Sequence, residues 1–546
     1  MEKNGSEPNM GLVLAASAAG TVFEWYDFFI FGSLAAIIAK HFYAGVSSSQ
    51  AYLFALLTFA FGFAARPFGA LFFGHVGDIV GRKRAFLVTI TVMGLATFAV
   101  AVLPDYAAIG IAAPIALVVI RVLQGFAIGG EYGGAAIYVA EHSAARTRGV
   151  ATGWIQTAAG IGLVLALLVI LGVRTALGEA NFSTWGWRVP FAVSIALLAI
   201  SLWIRLRLEE SPLFRRMLAE GRASKAPLRD TFFSASNIRT MLAALVGVLM
   251  GQGVVWYTAQ FYTQFFLERV LRVDPPIVNA LVMTVTIASL PLYMGFAWLS
   301  DCIGRKPVML FGLGLAAVGF IPGFQMLAQA ANPALVQAAK NSPVVVLAAP
   351  GDCSLQFDLI GKATFVNSCD LAKSALASAG VPYHNALSPE AHPASVRIGR
   401  DRITAPDGSG MSVSELASAK IRFGARLDEM LARAGYPSSA ETDRIDVKLT
   451  LLYLMIFIIA ATALYGPQAA ALVELFPTRI RYTALSVPYH IGVGWFGGFL
   501  PATAFAIVAA TGDIYAGLWY PVVMSAVGFV VTLLFIPETR KRDISL

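Results

Sequence analysis

The chain has 546 residues, of which 57% are hydrophobic and 13% are charged, and its mean hydropathy is +0.70. Soluble domains carry roughly 25% charged residues, so this composition excludes an ordinary soluble domain and indicates a polytopic membrane protein. The net charge of +8 requires no nucleic-acid partner, because short basic clusters beside apolar stretches supply most of it.

A helix needs about 20 apolar residues to cross a bilayer. The first suitable stretch contains Glu24 and Asp27 and no Ala-x-Ala-like cleavage site, so it is predicted to be a membrane helix and not a removable signal peptide. In chain order, the twelve predicted spans are 11–39, 51–73, 85–104, 109–139, 149–173, 187–206, 240–267, 277–299, 307–329, 449–473, 483–510 and 515–537.

Basic residues are concentrated in alternate loops between these spans. Lys and Arg resist translocation, so the side that carries them is predicted to be cytoplasmic, together with both termini, in a cell (inner) membrane. The clusters lie at 82–84, 146–148, 207–225, 305–306, 479–481 and 540–542.

One short segment occurs twice, after predicted spans two and eight. Asp78-x-x-Gly81-Arg82-Lys83 returns 223 positions later (301 − 78) as Asp301-x-x-Gly304-Arg305-Lys306. Duplication within a membrane protein is typical of transporters. The glycines permit a tight turn and the Asp can cap a neighbouring helix, so both copies are predicted to form a gate that holds one access state closed. The simpler alternative is a positively charged loop that only sets the orientation.

A second repeat follows predicted spans four and ten. Glu141-x-x-x-x-Arg146-x-Arg148 returns 333 positions later (474 − 141) as Glu474-x-x-x-x-Arg479-x-Arg481. Glu141, Arg146, Glu474 and Arg479 are therefore added to the predicted gate. The two offsets differ by 110 (333 − 223), so the second half contains an insertion of about this length, which hydropathy places at 331–447.

The insertion is predicted to be a small soluble α+β module between helices nine and ten, on the extracytoplasmic side. Residues 344–348 and 395–398 are expected strands, and Ser412-Val-Ser-Glu415 is a capping-box pattern that opens a helix which Gly435 could close. Cys353 and Cys369 could form a disulfide outside the cytoplasm, or remain free.

The predicted fold is thus an all-α membrane protein of two pseudo-symmetric six-helix bundles with this α+β insertion. The domain boundaries are 1–207 for the N-terminal bundle, 208–239 for a cytoplasmic linker, 240–330 for helices seven to nine, 331–447 for the insertion, and 448–546 for helices ten to twelve and the tail.

Carboxylates at membrane depth are costly and are therefore candidates for function. Glu24 and Asp27 lie on one face of span one and could share a proton or pair with a cation. Alternatively, Asp27 lies near the outer interface, with Trp25 and Tyr26 as aromatic belt residues.

Span four contains Arg121 and Gln124 at mid-depth and Glu131 nearer the cytoplasm. A buried guanidinium implies a carboxylate partner or an anionic substrate. Glu131 is either a proton carrier or a structural partner of a neighbouring helix. The glycines at 125, 129, 130, 133 and 134 are expected to allow close helix packing.

Span seven is unusually polar and aromatic for a membrane helix, which indicates a hydrated cavity or an aromatic core. Arg66 could line this cavity or lock span two to its neighbour, and His490 is either a packed side chain or a proton or substrate group. The predicted substrate residues are Arg121 and Gln124 with Gln252, Trp256, Tyr257, Gln260, Tyr465 and Gln468.

These motifs resemble the major facilitator superfamily over about 1–330 and 448–546. The segments 74–84, 297–306 and Arg121-x-x-Gln124-Gly125 match its loop and span-four motifs, although Ala297 stands where the family has Gly. The segments 24–28, 129–134, 186–191 and 208–212 resemble the metabolite:proton symporter group. The resemblance implies alternating access and symport of protons with organic acids or zwitterionic osmolytes, with Arg121 in the substrate or proton pathway and Asp78 and Arg82 in the cytoplasmic gate.

The predicted function is a proton-driven importer of a small polar metabolite, favouring an organic acid, with Glu24, Asp27 and Glu131 as proton carriers. No phosphate loop or metal-ligand cluster is present in the sequence, so we expect no enzyme activity, no metal, no cofactor other than protons, and a monomer in the lipid bilayer. The alternatives are a sugar-type facilitator, a drug exporter, or a transporter-derived sensor that uses the insertion.

Overall fold

The computed structural model describes residues 10–44, 48–354, 366–388 and 392–544. Two sets of long helices account for most of this part of the chain. In the N-terminal half they are α1 (Met10–Ser33), α2 (Ala35–Phe42), α3 (Ser48–Ile79), α4 (Arg82–Val102), α5 (Ala112–His142), α6 (Arg148–Gly186) and α7 (Arg188–Leu206).

The C-terminal half repeats this arrangement after two short helices, α8 (Pro212–Ala219) and α9 (Pro227–Phe232). Its long helices are α10 (Ala235–Val270), α11 (Pro275–Ile303), α12 (Arg305–Ala331), α16 (Val447–Leu475), α17 (Arg481–Thr511) and α18 (Ala516–Phe535), with α13 to α15 in the insertion between them.

Ten helices of the described residues are long and apolar enough to cross a membrane, and α1 with α2, bent by 65°, adds an eleventh. The 32-residue helix α3 lies at the second predicted span. Each of the twelve predicted spans therefore coincides with a long helix. The helices begin and end a few residues away from the predicted spans, because regular backbone continues beyond the apolar segment.

Small residues bring the helices of the N-terminal half together. A Cβ atom at Gly125 would lie 2.0 Å from the Gly62 carbonyl oxygen, and one at Gly129 would lie 2.3 Å from the Arg66 carbonyl oxygen. The predicted role of these glycines in close packing is confirmed. Between the halves, α3 packs against α17 and α6 packs against α11, so the two interfaces are related by the internal duplication.

The insertion forms a four-stranded mixed sheet with three helices. Its elements are α13 (Pro333–Asn341), β1 (Val344–Ala348), α14 (Ser368–Ser378), β2 (Tyr383–Leu387), β3 (Ser395–Ile398), β4 (Asp401–Thr404) and α15 (Val413–Arg433). The strand order is β2-β1-β3-β4, with β1 parallel to β2 and the other pairs antiparallel. We call these elements, residues 333–433, the sheet module.

Both predicted strands have the expected bounds, and Ser412 and Glu415 form the capping box at the start of α15. Gly435, with φ of 87°, follows the end of that helix. The strands β2 and β4 were not predicted, because Tyr-His-Asn-Ala-Leu and Asp-Arg-Ile-Thr lack a run of β-branched residues. Cys353 and Cys369 form a disulfide, and Cys302 is free.

The sheet module rests on the C-terminal half at the ends of helices α10 and α17. The backbone N–H of Tyr383 donates to the Gly512 carbonyl at 2.9 Å, and the Asn385 amide donates to the Thr511 carbonyl at 3.0 Å. On the other side, the segment that follows the module is also bonded to the bundle, because the Ala440 N–H donates to the Arg272 carbonyl at 2.9 Å. These contacts fix the module to the bundle end opposite the repeated loops.

Candidate functional site

The two copies of the repeated loop join the halves at one end of the bundle, which we call the motif face (residues 74–84, 141–150, 297–306 and 474–483). In the first copy, Asp78 accepts hydrogen bonds from the backbone N–H groups of Tyr482 and Thr483, at 3.1 and 3.0 Å. Its partner Arg82 lies 3.2 Å away, and both side chains are fully buried. The carboxylate thus caps the start of α17 in the opposite half.

The second copy does the same in the reverse direction. Asp301 accepts from the backbone N–H groups of Gly149 and Val150, at 2.9 and 2.8 Å, which lie at the start of α6. Arg305 binds Asp301 at 2.6 Å. The predicted pairing of the two copies as gate elements agrees with this geometry, although the structure does not test gating itself.

The second repeat supplies ion pairs that cross between the halves. Arg481 binds Glu141 at 2.7 Å, and Arg148 binds Glu474 at 2.9 Å. Each glutamate also accepts a hydrogen bond from a hydroxyl in the chain that follows a bundle. Ser211 donates to Glu141, and Thr539 donates to Glu474 at 2.7 Å. Four buried charges therefore hold the motif face closed.

Arg146 and Arg479, which were also assigned to the gate, do not take part in these ion pairs. Both are exposed, and neither has an ion pair among the described residues. They lie in the turns that precede α6 and α17, whereas Arg148 and Arg481 are the first residues of those helices and point inwards. Either arginine of each repeated Arg-x-Arg could have formed the ion pair, and the one that does so is the arginine at the first position of the helix.

Glu210 and Glu538 were missed by the sequence analysis. Glu210 accepts from the N–H groups of Arg82 and Lys83, and Glu538 accepts from those of Arg305 and Lys306. A side chain at Gly81 or Gly304 would collide with these carboxylates, and both glycines have φ above 110°. Both glutamates lie in similar short segments that follow a bundle, Glu-Glu-Ser-Pro at 209–212 and Pro-Glu-Thr at 537–539, and this similarity could have identified them.

A second set of buried polar groups lies inside the N-terminal half. Asp27 Oδ2 binds Arg121 at 3.2 Å, and Asp27 Oδ1 accepts from Gln124 at 3.0 Å and from Thr97 at 2.9 Å. Arg121 also lies over the ring of Phe31, 3.7 Å from its centre. The carboxylate partner expected for Arg121 is therefore Asp27, and Tyr26 beside it is buried and donates to the Pro190 carbonyl, which excludes an interfacial belt position.

Glu131 has a different partner, which the sequence analysis missed. Arg205 forms a buried ion pair with Glu131, and Thr89 donates to the same carboxylate at 2.9 Å. Of the two roles considered for Glu131, this geometry favours the structural bond to a neighbouring helix. Arg205 lies at the end of a predicted span, where it was counted as part of the apolar stretch.

Glu24 is buried but has no hydrogen bond or ion pair to any described residue. No hydrogen bond joins it to Asp27, whose carboxylate oxygens are bonded to Arg121, Gln124 and Thr97 instead. The opposite charge that acts most strongly on it is Arg66. Arg66 lies over the Phe63 ring at 4.4 Å and lines a cavity of about 20 Å³ with Asp27 and Arg121, so it faces the cavity instead of locking two helices.

Aromatic side chains from both halves meet at the centre of the bundle. Tyr132 stacks on Tyr489 with ring centres 3.8 Å apart, and the Tyr489 and Tyr465 hydroxyls are 3.1 Å apart. Trp256 donates to the Tyr293 hydroxyl at 3.0 Å and lies 5.1 Å from Trp25. Tyr257 lies in the same cluster, 5.2 Å from Trp256.

Gln252 and Gln468 are buried, and neither amide has a hydrogen-bond partner within the described part of the protein. The same holds for Nε2 of His490. Buried polar atoms are nearly always bonded, so unused donors and acceptors are expected where a ligand binds. Both glutamines were among the predicted substrate residues, and they come from α10 and α16 of the C-terminal half.

A cavity of about 790 Å³ lies between the halves on the side away from the motif face. Its walls are α1, α6, α10 and α11, and its polar lining includes Gln260, Gln264 and Arg174. Gln260 also accepts from Thr286 at 3.3 Å. The halves are therefore joined by ion pairs at the motif face and separated by this cavity on the other side. Within the described residues, no group of His, Cys, Asp or Glu side chains could hold a metal ion.

Comparison with known proteins places this geometry among transporters. The family described as sugar (and other) transporters matches residues 12–231 and 436–546, which leaves out helices α10 to α12 and the whole sheet module. The chain is 35% identical to the proline/betaine transporter of Escherichia coli (strain K12) over 320 residues, which are 58% of this chain and 64% of that protein. It thus spans under two thirds of that relative's length.

Other relatives are covered more fully. The shikimate transporter of Escherichia coli (strain K12) is 34% identical over 317 residues, which are 57% of this chain and 71% of that protein. The glycine betaine/proline/ectoine/pipecolic acid transporter OusA of Dickeya dadantii (strain 3937) is 26% identical over 97% of this chain and 84% of its own length.

Among solved structures, the proton:xylose symporter XylE matches with a TM-score of 0.60 and 16% identity, and the alignment covers 98% of both chains. A double tryptophan variant of XylE gives a TM-score of 0.66 at 15% identity. These matches show the major facilitator fold.

Proposed function

Because this chain belongs to the family of sugar and other transporters within the major facilitator superfamily, we propose that it is a secondary transporter that imports a small polar metabolite together with protons. In this proposal the motif face is cytoplasmic, and the 790 Å³ cavity is the entrance from outside. The described bundle then represents the state that is open to the outside, since its ion pairs close the motif face.

The observation that carries the proposal is the Asp27 network. Asp27 uses both carboxylate oxygens on Arg121, Gln124 and Thr97 in the interior of one bundle. A charge at this depth is tolerated only while it is paired. Protonation of Asp27 would remove the negative charge from the pair and free the Arg121 guanidinium, which changes the polarity of the small cavity that both residues line.

Glu24 supports proton coupling in a second way. A buried carboxylate without an ion-pair partner is most stable when it carries a proton. Glu24 therefore offers a proton site next to the aromatic cluster, whereas Glu131 already forms an ion pair with Arg205. We assign the coupling proton to Asp27 or Glu24 and give Glu131 a structural role.

The substrate would bind among the unused polar groups at the centre. The amides of Gln252 and Gln468 have free hydrogen-bonding capacity, and Arg66 has no carboxylate partner among the described residues. This set favours a substrate with a carboxylate, which is either an organic acid or a zwitterion. Trp256, Tyr257 and Tyr465 can cover its apolar or cationic part. The names of the proline/betaine and shikimate relatives support this class.

Uptake by proteoliposomes under an imposed proton gradient tests the proposal, with organic acids, betaines, proline and sugars as substrates. Asp27→Asn should abolish gradient-driven accumulation but retain exchange of labelled substrate, because the neutral amide can still bond Gln124. Glu429→Gln, an exposed residue of the sheet module, serves as the matched control and should accumulate substrate normally. Normal accumulation by the Asp27→Asn and Glu24→Gln variants would exclude both residues as proton sites.

A further inference from the structure

A cavity of about 480 Å³ lies at the junction of the sheet module and the C-terminal half, away from the interface between the halves. We call it the junction slot. Its floor consists of Ala502, Phe505, Ala506 and Ala509 on α17 and of Phe265 on α10. The four α17 residues have the spacing of a single helix face. Small residues on either side of Phe505 leave a groove along this face, at the perimeter of the membrane bundle.

The roof of the slot belongs to the insertion. Ser374 and Ser378 of α14 line it, and the chain turns at Gly380, which has φ of 62°. A Cβ atom at Gly380 would lie 2.5 Å from the Val270 carbonyl oxygen and 2.8 Å from that of Arg269. The module thus approaches the end of α10 at a distance that only glycine permits, and the slot is a fixed part of the structure.

The rim of the slot carries one charge. Among the described residues that line it, Arg269 alone is ionised, and it is exposed and forms no ion pair with any of them. The hydroxyls of Ser374 and Ser378 have no hydrogen bond to another described residue. A guanidinium with two hydroxyls above an apolar groove matches the two ends of a phospholipid.

We propose that the junction slot binds an anionic phospholipid, with an acyl chain against Phe265 and Phe505 and the phosphate near Arg269. The two rings are in contact, with centres 3.8 Å apart and planes tilted by 52°, and form a continuous apolar surface of the kind that an acyl chain covers. The slot lies entirely on one half, so its lipid would stay bound while the halves move. This site is separate from the transport pathway and does not depend on which substrate is carried.

The experiment uses the full-length protein, stripped of lipid and returned to nanodiscs of phosphatidylcholine with or without phosphatidylglycerol. Native mass spectrometry measures the bound lipid, and thermal unfolding in pure phosphatidylcholine checks that each variant is folded. Arg269→Gln removes the charge, Ala502→Phe fills the groove, and Arg400→Gln is the control, since Arg400 is an exposed arginine of the β3–β4 turn.

The unaltered protein and Arg400→Gln should retain phosphatidylglycerol in preference to phosphatidylcholine. Arg269→Gln should weaken phosphatidylglycerol binding about fivefold, the effect of one basic residue at an anionic membrane surface. Ala502→Phe should remove both lipids. Equal retention of phosphatidylglycerol by all variants would overturn the proposal, as would a dimer of the unaltered protein that Ala502→Phe dissociates, because a second copy would then occupy the slot.

Discussion

The two copies of the repeated loop make closely similar contacts with opposite halves of the molecule. Asp78 caps the start of α17, and Asp301 caps the start of α6. In each copy a glutamate from the chain that follows the bundle, Glu210 or Glu538, accepts from the first N–H groups of the next helix. The internal duplication is therefore preserved in hydrogen bonds as well as in the helix order.

The copies differ at the acceptor of the second repeat. Glu474 binds Arg148 at 2.9 Å and also Arg305 at 3.2 Å, so the second copy is a continuous chain of charges. Glu141 binds Arg481, whereas Arg82 donates to the Thr478 carbonyl at 2.6 Å. One side of the motif face thus depends on a single carboxylate shared by two guanidinium groups. On the other side, Glu141 binds only Arg481, and Arg82 forms a separate ion pair with Asp78.

The halves differ much more at the opposite end, where only the C-terminal half carries the sheet module. The module is bonded to the end of α17 through the Tyr383 N–H and the Asn385 side-chain amide, and it approaches the end of α10 at Gly380. These contacts lie at the bundle end away from the motif face. The comparison teaches that the duplication is retained where the halves must close on each other, and that an insertion is tolerated where they do not.

The largest expected effect is the loss of the shared carboxylate. Glu474→Gln leaves the buried Arg148 guanidinium without a charge partner and removes one of the two carboxylates that bind Arg305. Breaking a buried ion pair in this way costs about 3–5 kcal/mol of closure free energy. Glu141→Gln leaves Arg481 without a charge partner and disturbs no second ion pair. The reactivity of a cysteine introduced by Ser486→Cys in a Cys302→Ser background, measured from the motif face, should rise in both variants and more strongly for Glu474→Gln.

Thermal unfolding provides the control for this experiment, because a misfolded variant would also expose the introduced cysteine. Equal reactivity of the two variants, with equal stability, would show that the additional bond to Arg305 contributes nothing to closure.

The disulfide tests whether the module is energetically separate from the halves. It closes a loop of 16 residues in sequence, for which chain entropy predicts a loss of about 3 kcal/mol when it is removed. In a Cys353→Ser, Cys369→Ser variant, amide exchange in α14 should accelerate about a hundredfold. Peptides from the motif face should exchange at the original rate. Faster exchange there would mean that the module and the gate are coupled.

A smaller and symmetric effect is expected at the two turn glycines. Gly81 and Gly304 adopt φ of 120° and 114° with ψ near 155–159°, a region that is open almost only to glycine. Alanine at either position should cost about 1–3 kcal/mol. Gly172→Ala, at a helical position with open space around it, is the control and should not destabilise. The midpoints of thermal unfolding of the three variants are compared. A large difference between Gly81→Ala and Gly304→Ala would show that the two loop copies do not contribute equally to stability.

Much of this architecture could be predicted from the sequence because the chain is duplicated, so each half can be compared with the other. Apolar length gave the twelve spans, and the unequal offsets of the two repeats located the insertion. The capping box at Ser412 was identifiable because its hydrogen bonds are local. Close helix packing at Gly125 and Gly129 could be predicted because span four contains several glycines.

The site was less accessible because its contacts join distant helices. The sequence indicated a carboxylate partner or an anionic substrate for Arg121 but could not choose Asp27 over Glu24, since both lie on the same face of α1. Arg205 was overlooked because a single arginine barely changes the hydropathy of a 19-residue helix. Arg146 was preferred to Arg148 because the first residue of a helix cannot be fixed to within two positions from sequence.

The smallest expected effect is a pH dependence within the sheet module, at the ion pair of His392. The Asp352 carboxylate, which hydrogen bonds to His392 at 2.8 Å, raises the pKa of that imidazole above 6.5, and Asp407 at 3.9 Å acts in the same direction. The ion pair therefore stabilises the module fully below pH 6.5 and less as the pH rises through the raised pKa.

His392 is exposed, so solvent and salt should keep this contribution small. Amide exchange in the sheet module should become modestly faster between about pH 6 and about pH 8, after correction for intrinsic rates, and His392→Gln should abolish the change. The N-terminal half has its own His–Asp pair, His41 with Asp105 at 3.8 Å, so helix α4 of that half, which contains no histidine, provides the internal control. A module that becomes more stable as the pH rises would contradict the assignment, because a partner that favours the charged imidazole can only stabilise the module more at low pH.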